Sequence, residues 1–178
     1  MSVKRKLLIA AVFAVIPATH AVAQCSGNAG SCNTTNTASV TIASLVKLGM
    51  SAATTTLTAP TADQVDVGAT VADAGPTFTV KANRSWTLSI RSGNPTNWTY
   101  AGSFAGLKPI SDLTWSNAVA GTFVAITSSD VLLTSGAAAS NGTAAQAFFR
   151  TIYPAGFTNA ANQPGTYSLP VIFTLTAP

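Results

Sequence analysis

Apolar and polar residues alternate most regularly near the C-terminal end of the sequence. Apolar side chains occupy every second position from Tyr167 to Leu175, and Gly165 precedes them. A period of two predicts a β-strand with one buried face. Pro170 lies inside this strand and has no N–H to donate, so it predicts a sheet edge or a bulge. The members of the alternating set are Tyr167, Leu169, Val171, Phe173 and Leu175.

Two segments in the first half of the chain show the same period. In residues 78–90, apolar positions of one parity predict either one long strand or two strands joined by a bend at residues 83–84. In residues 40–50, a second set predicts another strand, with Val40, Ile42, Val46 and Leu48 on one face.

Shorter apolar runs between these segments complete a β pattern. They are bounded by Gly, Pro and Asn, and residues 59–76 are expected to form a long loop with a weak strand around residues 65–71. The total is roughly seven to nine short strands, with no sustained helical period. Because short strands must bury one face against a second sheet, the fold class is all-β, a single antiparallel β-sandwich. The shorter runs span residues 98–100, 107–115, 122–127, 131–134 and 144–153.

The first 23 residues are expected to be a cleaved signal peptide. A basic start at residues 4–6 precedes an apolar run at residues 7–16, and Ala21-Val22-Ala23 is a small-x-small cleavage site. A lipoprotein is the alternative, but it needs a small residue before Cys25 and the chain has Gln24. The mature protein is therefore expected to be secreted to the periplasm or cell surface, without a transmembrane anchor.

Removal of the signal changes the charge. Three of the nine Lys and Arg leave with it, so six cations face five Asp and the mature net charge is +1. The six cations are scattered along the sequence and predict no basic patch, so nucleic acid is not expected as a partner. They are Lys47, Lys81, Arg84, Arg91, Lys108 and Arg150.

Two cysteines, Cys25 and Cys32, lie close together after the cleavage site. In an oxidising compartment they predict a local disulfide, with a metal site as the weaker alternative. Residues 24–38 are small and polar, so we expect a flexible N-terminal arm that carries this disulfide loop, followed by the sandwich domain at residues 39–178.

The mature chain lacks the side chains of ordinary catalytic sites. Its only histidine, His20, is in the signal peptide, and there is no Glu. This excludes Ser-His-Asp, Cys-His and paired-Glu sites, so we expect no enzyme and no cofactor. Asp63, Asp66 and Asp73 fall in one predicted loop, but their spacing matches no standard calcium loop, and a metal site is not expected.

Three aromatic residues are candidates for ligand contact. Trp98 and Tyr100 share a face of one short strand, and Trp115 is expected nearby in the fold. Exposed aromatic rings stack on sugars, which makes a glycan a candidate partner, whereas large aromatics in a sandwich more often belong to the core. Both interpretations stay open at this point.

The second half of the chain carries a set of motifs typical of one group of secreted proteins. Residues 146–150 lead into Ile-Tyr-Pro-Ala-Gly at residues 152–156, and Pro-Gly-Thr-Tyr at residues 164–167 opens the last strand, residues 171–176. In these motifs the chain resembles the spore coat protein U-like family of bacterial proteins, which includes archaic chaperone–usher pilins. The resemblance covers roughly half of the chain. It departs from the family in the cysteines, which both lie in the arm here.

The resemblance implies an immunoglobulin-like sandwich that lacks one strand and accepts an extended N-terminal segment from a neighbouring subunit. In this chain residues 33–48 are either that donor or the first strand of the domain itself. The function expected is a secreted, non-catalytic structural subunit of a pilus or coat, which self-assembles by β-strand addition. The alternative is a secreted carbohydrate-binding module.

Overall fold

The computed structural model describes Gly30 and residues 32–178, and it divides the chain into two units, residues 1–41 and 42–178. The described residues of the first unit contain no helix and no strand, and they are exposed. The predicted signal peptide and Cys25 lie outside the described residues. The signal peptide and the disulfide between Cys25 and Cys32 therefore stay predictions.

Residues 42–178 form an all-β sandwich of antiparallel strands, which confirms the predicted fold class. A single short α-helix, α1 (Ala62–Val67), lies between the first two strands. The strands are β1 (Val46–Met50), β2 (Ala69–Ala82), β3 (Trp86–Ser92), β4 (Thr99–Ala101), β5 (Leu113–Ser116), β6 (Val124–Ala125), β7 (Val131–Gly136), β8 (Ser140–Tyr153), β9 (Thr166–Ser168) and β10 (Val171–Thr176).

The strands form two facing sheets and one small pair. The larger sheet has the order β1-β2-β8-β5-β6, the smaller has the order β10-β3-β7, and β4 pairs with β9 alone. The long strands β2 and β8 pair along most of their length and form the centre of the larger sheet. Strands β1 and β10 are the edge strands on one side of the sandwich.

The core follows from the alternation in the sequence. Every second side chain of β2, β3 and β8 faces inward, and Phe78, Leu88, Ile90 and Ala147 are 0% exposed. The same parity places hydroxyl and charged side chains on the outer faces, because successive side chains of a strand point to opposite sides. The strands therefore bury one shared apolar interior.

A bulge bends the long strand β2 where Gly75 and Pro76 interrupt its pairing with β8. A Cβ added at Gly75 would lie 2.6 Å from Cε2 of Phe149 and 2.7 Å from the carbonyl oxygen of Ala147. Only glycine allows β2 to approach β8 this closely.

The helix α1 is a correction to the sequence analysis, which predicts a loop and a weak strand in this region. The Thr61 hydroxyl accepts from the backbone N–H of Gln64, and the Gln64 side chain accepts from the backbone N–H of Thr61, which forms a capping box. Thr-x-x-Gln is a known helix-start signal that the alternation analysis does not detect.

Residues 78–90 form two strands, β2 and β3, joined by the bend at residues 83–84, which confirms one of the two predicted alternatives; the two strands belong to different sheets. Two other strand boundaries differ from the predicted ones. The alternating C-terminal segment divides near Pro170, since β9 pairs with β4 and β10 pairs with β3. The first strand begins only at Val46, so Val40 and Ile42 are in no strand.

Candidate functional site

Strands β1 and β10 border an open side of the sandwich. At one end the two strands are close together. There the hydroxyl of Ser44, just before β1, donates to the carbonyl oxygen of Ala177, just after β10, 3.2 Å away. We call this the entry end, since residue 42 begins the second unit here. The opposite end of the domain carries α1, and we call it the helix end.

One edge of β10 has backbone groups that no described strand pairs with. The N–H of Gly93 donates to the carbonyl oxygen of Pro170, and the carbonyl oxygen of Thr174 accepts from the Ser89 hydroxyl, so these two residues direct their backbone groups toward β3. Along an antiparallel strand, the N–H and C=O groups of successive residues point alternately to one side of the strand and to the other. The N–H and C=O groups of Val171, Phe173 and Leu175 therefore point away from β3, into the open side.

The first strand offers the matching edge. The carbonyl oxygen of Leu45 accepts from the N–H of Asn83, and the N–H of Ser51 donates to the carbonyl oxygen of Thr77. Odd-numbered residues of β1 are therefore bonded to β2. By the same alternation, Val46, Leu48 and Met50 present their backbone groups to the open side.

Beyond the helix-end parts of these two edges lies a groove of about 800 Å³ with mainly apolar walls, bordered by Met50 and residues 52–57 and 59–60 on one side and by residues 161–171 and Phe173 on the other. Met50 and Leu57 line one wall, Val171 and Phe173 line the other, and Phe149 belongs to its floor. The groove widens toward the helix end, since its lining reaches Trp98, Lys108 and Tyr153 but not the residues nearest the entry end.

The inward-facing side chains of the two edge strands are only partly covered. Phe173 packs its ring against Phe78 at 4.4 Å between centroids, yet it is half-buried whereas Phe78 is fully buried. Met50 is 47% exposed. Apolar side chains at this border of the core therefore lack the cover that a further strand would provide.

A buried cation lies at the helix end of the groove. Lys108 is 2% exposed; its ammonium donates to the Asp112 carboxylate at 3.0 Å and to the carbonyl oxygen of Ile152. It also lies 4.7 Å from the centroid of the Tyr153 ring. Burial lowers the pKa of Lys108, while the hydrogen bond and the charge of Asp112 oppose that shift.

Tyr153 joins this end of the groove to the segment after β1. Its hydroxyl donates to the carbonyl oxygen of Thr58, while the N–H and hydroxyl of Thr58 donate to the Asp73 carboxylate at 3.1 and 2.6 Å. Burial, followed by the charge of Asp73, raises the pKa of Tyr153, and a hydrogen bond with Thr151 opposes the shift. The wall formed by residues 51–60 is thus held against β2 and β8.

The predicted aromatic candidates do not form a platform for a sugar. Trp98 and Trp115 are 8% and 5% exposed, and the Trp98 indole N–H donates to the carbonyl oxygen of Pro109. Tyr100 packs against Tyr167 at 4.8 Å between ring centroids. The two tryptophans belong to the buried core, where their large apolar rings fill the interior, and their contact with a ligand stays a prediction.

Two of the four predicted donor or first-strand residues lie in the first strand, and the donor role of the other two stays a prediction. Val46 and Leu48 lie in β1 and form the first strand of the domain. Val40 and Ile42 are 85% and 72% exposed. Around them, Ala38, Val40 and Ile42 alternate with three hydroxyl residues, Thr37, Ser39 and Thr41.

The cations are less scattered than the sequence predicts. The register of β1 on β2 places Lys47 directly opposite Lys81, and Arg84 follows β2 in the bend. All three are exposed, and no ion pair within residues 32–178 includes them. Strand pairing, which residue spacing does not disclose, brings Lys47 and Lys81 together.

Residues 32–178 contain no group of three His, Cys, Asp or Glu side chains arranged as metal ligands. In the same part of the chain, no helix has the length and hydrophobicity to cross a bilayer. No protein-family profile matches the chain, and comparison with curated proteins gives no significant match. The groove and the arm are therefore the features from which function is inferred.

Proposed function

We propose that this protein is an exported structural subunit of a pilus- or coat-like surface fibre, assembled when the arm of one subunit is added as a strand to the groove of the next. The proposal builds on the resemblance to spore coat protein U-like proteins and archaic pilins. The observation that carries it is the groove between β1 and β10, which has unpaired backbone groups on both edges and apolar walls.

The unpaired edges favour a peptide strand over a small molecule. A strand in the groove would form hydrogen bonds with Val171 and Phe173 on one side and with Met50 on the other, which are the residues of the two edge strands that line the groove. Its inward side chains would cover the half-buried apolar residues of both edges. Main-chain pairing combined with alternate side-chain pockets is the recognition mode of β-strand addition.

The arm that is added comprises residues 33–42, so it extends beyond the predicted arm of residues 24–38, and in a second copy it has the pattern that this groove requires. Its apolar residues Ala38, Val40 and Ile42 have one parity, and the intervening hydroxyl residues have the other. When the strand is inserted, the apolar set would face the core and the hydroxyl set would face water. Charged residues, which would be costly in the groove, are absent from residues 32–46.

The shape of the groove also determines the direction of insertion. An arm that enters from the wider helix end has its C-terminal residues at that end and its N-terminal residues toward the entry end. It then runs antiparallel to β10, which begins at the helix end and finishes at the entry end. This pairing with β10 follows the antiparallel arrangement of the strand pairs in the sandwich, whereas the inserted arm would be parallel to β1, which runs from the entry end to the helix end.

The experiment uses the chain without residues 1–23, examined by electron microscopy and light scattering for fibres that grow with protein concentration. Val40→Asn with Ile42→Asn should abolish fibres while leaving a folded monomer. The matched control is Ser39→Asn with Thr41→Asn, which alters the other parity and should assemble. A parent chain that stays monomeric at all concentrations, or a control pair that fails as badly as the apolar pair, would contradict the proposal.

A further inference from the structure

The two ends of the domain carry opposite unpaired charges. Lys47, Lys81 and Arg84 are exposed at the entry end, and their register and position make them one basic surface. Asp63 and Asp66 are exposed on α1 at the helix end, where Asp73 and its Thr58 partner also lie. We call these the basic end surface and the acidic end surface.

The remaining charges are largely accounted for by their contacts. Asp130 is paired with Arg91, and Asp112 is paired with Lys108. Arg150 stacks on the Phe123 ring, 3.8 Å from its centroid. Among the described residues it is the one cation that is neither in an ion pair nor in the basic end surface. The charges without an ion pair are thus concentrated at the ends rather than along the sides.

The like-charged pair in the basic end surface is a cost to the isolated domain. Lys47 and Lys81 are directly opposite each other on neighbouring strands, where like charges are destabilising. No acidic residue described for this chain compensates them locally. A carboxylate partner outside the subunit would relieve this repulsion.

The strand β2 separates the two surfaces. It has 14 residues and contains both Asp73 and Lys81, whose eight-residue separation corresponds to roughly 26 Å at 3.3 Å per residue. At this distance screening removes the attraction between the surfaces of one molecule at physiological salt. The surfaces are therefore available to act between molecules.

The chain enters the domain at the basic end surface. The Asn83 amide holds this entry, because it donates to the carbonyl oxygen of Ala43 and its side-chain oxygen accepts from the N–H of Leu45. Arg84 is the next residue. An arm that leaves here and enters the helix end of the next groove brings the basic end surface of its own subunit toward the acidic end surface of the neighbour.

We infer that a second copy of this chain is the partner of each end surface, so that subunits stack head to tail with Lys47, Lys81 and Arg84 against Asp63, Asp66 and Asp73 of the neighbour. This inference rests on the proposed function and adds an interface to it. The charges steer the subunits into one orientation before the arm is inserted. Complementary charge acts mainly on association rate and on rejection of wrong orientations.

The test uses two reversed chains, each without residues 1–23. In the first, Lys47→Glu, Lys81→Glu and Arg84→Glu make both ends acidic. In the second, Asp63→Lys and Asp66→Lys make both ends basic. Because Lys47 and Lys81 are reversed together, the like-charged pair inside the domain is retained. Fibre growth is followed by light scattering at low salt and at 0.3 M salt, which is about a 6 Å screening length.

Each reversed chain alone should grow about tenfold more slowly than the parent at low salt, with a smaller difference at high salt. An equal mixture of the two should recover the parent rate, since basic and acidic ends then alternate. The mixture contains the same two proteins, so recovery cannot reflect misfolding of either one. A mixture no faster than its components overturns the inference while parent fibres keep the proposed function. A parent chain that forms no fibres overturns both.

Discussion

Lys108 and Asp112 are the residues whose environment departs most from their ordinary one. The ammonium is almost fully buried, and the carboxylate is 14% exposed as a side chain. The pair joins the segment before β5 to the carbonyl oxygen of Ile152 at the end of β8. Burying such a pair is costly, but removing one member costs more, because the other charge stays buried without a partner.

Asp112→Asn is therefore expected to lower the free energy of unfolding by about 3 kcal/mol. Urea unfolding followed by tryptophan fluorescence measures this change. The matched control is Asp130→Asn, because Asp130 and Arg91 are solvent-exposed and 3.6 Å apart. The control should change stability by less than about 0.5 kcal/mol. Equal losses of unfolding free energy for the two substitutions would show that the burial of Lys108 does not increase the cost of removing Asp112.

Lys108 also predicts a pH dependence of stability. Its pKa is lowered from 10.5 mainly by burial, so between the lowered pKa and 10.5 the unfolded chain binds more protons than the folded one. The free energy of unfolding contributed by this group therefore rises with pH across that window and is lower below it. The facing groups are Asp112 and Tyr153; the raised pKa of Tyr153 acts in the opposite sense above pH 10.

Lys108→Met should remove this rise, which lies below pH 10.5. The measurement compares urea midpoints of the parent and the variant across that range, at constant ionic strength. A variant that keeps the parental slope would mean that another group titrates there.

Among the elements, β10 allows the sharpest test of the open edge, because the backbone groups on one of its edges pair with β3 and those on the other edge do not. The Ile172 and Thr174 backbone groups face β3, whereas those of Val171, Phe173 and Leu175 face the groove. Hydrogen exchange of a monomeric chain, the Val40→Asn/Ile42→Asn variant, should show fast exchange at Val171, Phe173 and Leu175. Ile172 and Thr174 should be slow, which gives an alternating pattern along one strand.

Binding of an arm peptide should slow the exchange of the Val171 and Phe173 amides, which line the groove, and leave the slow ones unchanged. Uniform protection along β10 before peptide is added would show that both edges are already paired.

The bulge in β2 should make its glycine, Gly75, sensitive to substitution. Gly75→Ala would place a methyl group against the Phe149 ring and the Ala147 carbonyl oxygen, so we expect a loss of about 2 kcal/mol in unfolding free energy. Gly49→Ala in β1 is the control, because its added methyl would lie 3.6 Å from Cβ of Thr79, an ordinary contact. Chemical unfolding of both variants checks the difference, and similar losses would place the strain outside the bulge.

Alternation identified the β elements but not their partners. The inward parity of residues 78–90 was correct because local side-chain direction determines it. Pro170 signalled an irregularity in the last strand, but the change of partner there, from β4 for β9 to β3 for β10, was not predictable from the alternation. The groove and the opposition of Lys47 and Lys81 have the same origin, because both arise from pairing between segments far apart in sequence. The capping box at Thr61 was the local signal that strand periodicity missed.

At the scale of the whole molecule, the open side implies that the isolated domain is less stable than the filled one. A ligand that binds only the folded chain stabilises it by about 2.7 kcal/mol at one hundred times its Kd. A synthetic peptide of residues 33–43 should therefore raise the unfolding free energy of the Val40→Asn/Ile42→Asn variant by this amount. The same peptide with Asn at positions 40 and 42 should have little effect. Equal stabilisation by both peptides would contradict pairing through the apolar face.

The pairing of β2 with β8 has a mechanical consequence. The hydrogen bonds between these long strands lie across the direction from the helix end to the entry end. A pulling force applied between the two ends would load these bonds in shear, so that many must break together rather than one after another. The β2–β8 pair should therefore withstand a larger force along this direction than a force that peels the two strands apart from one end.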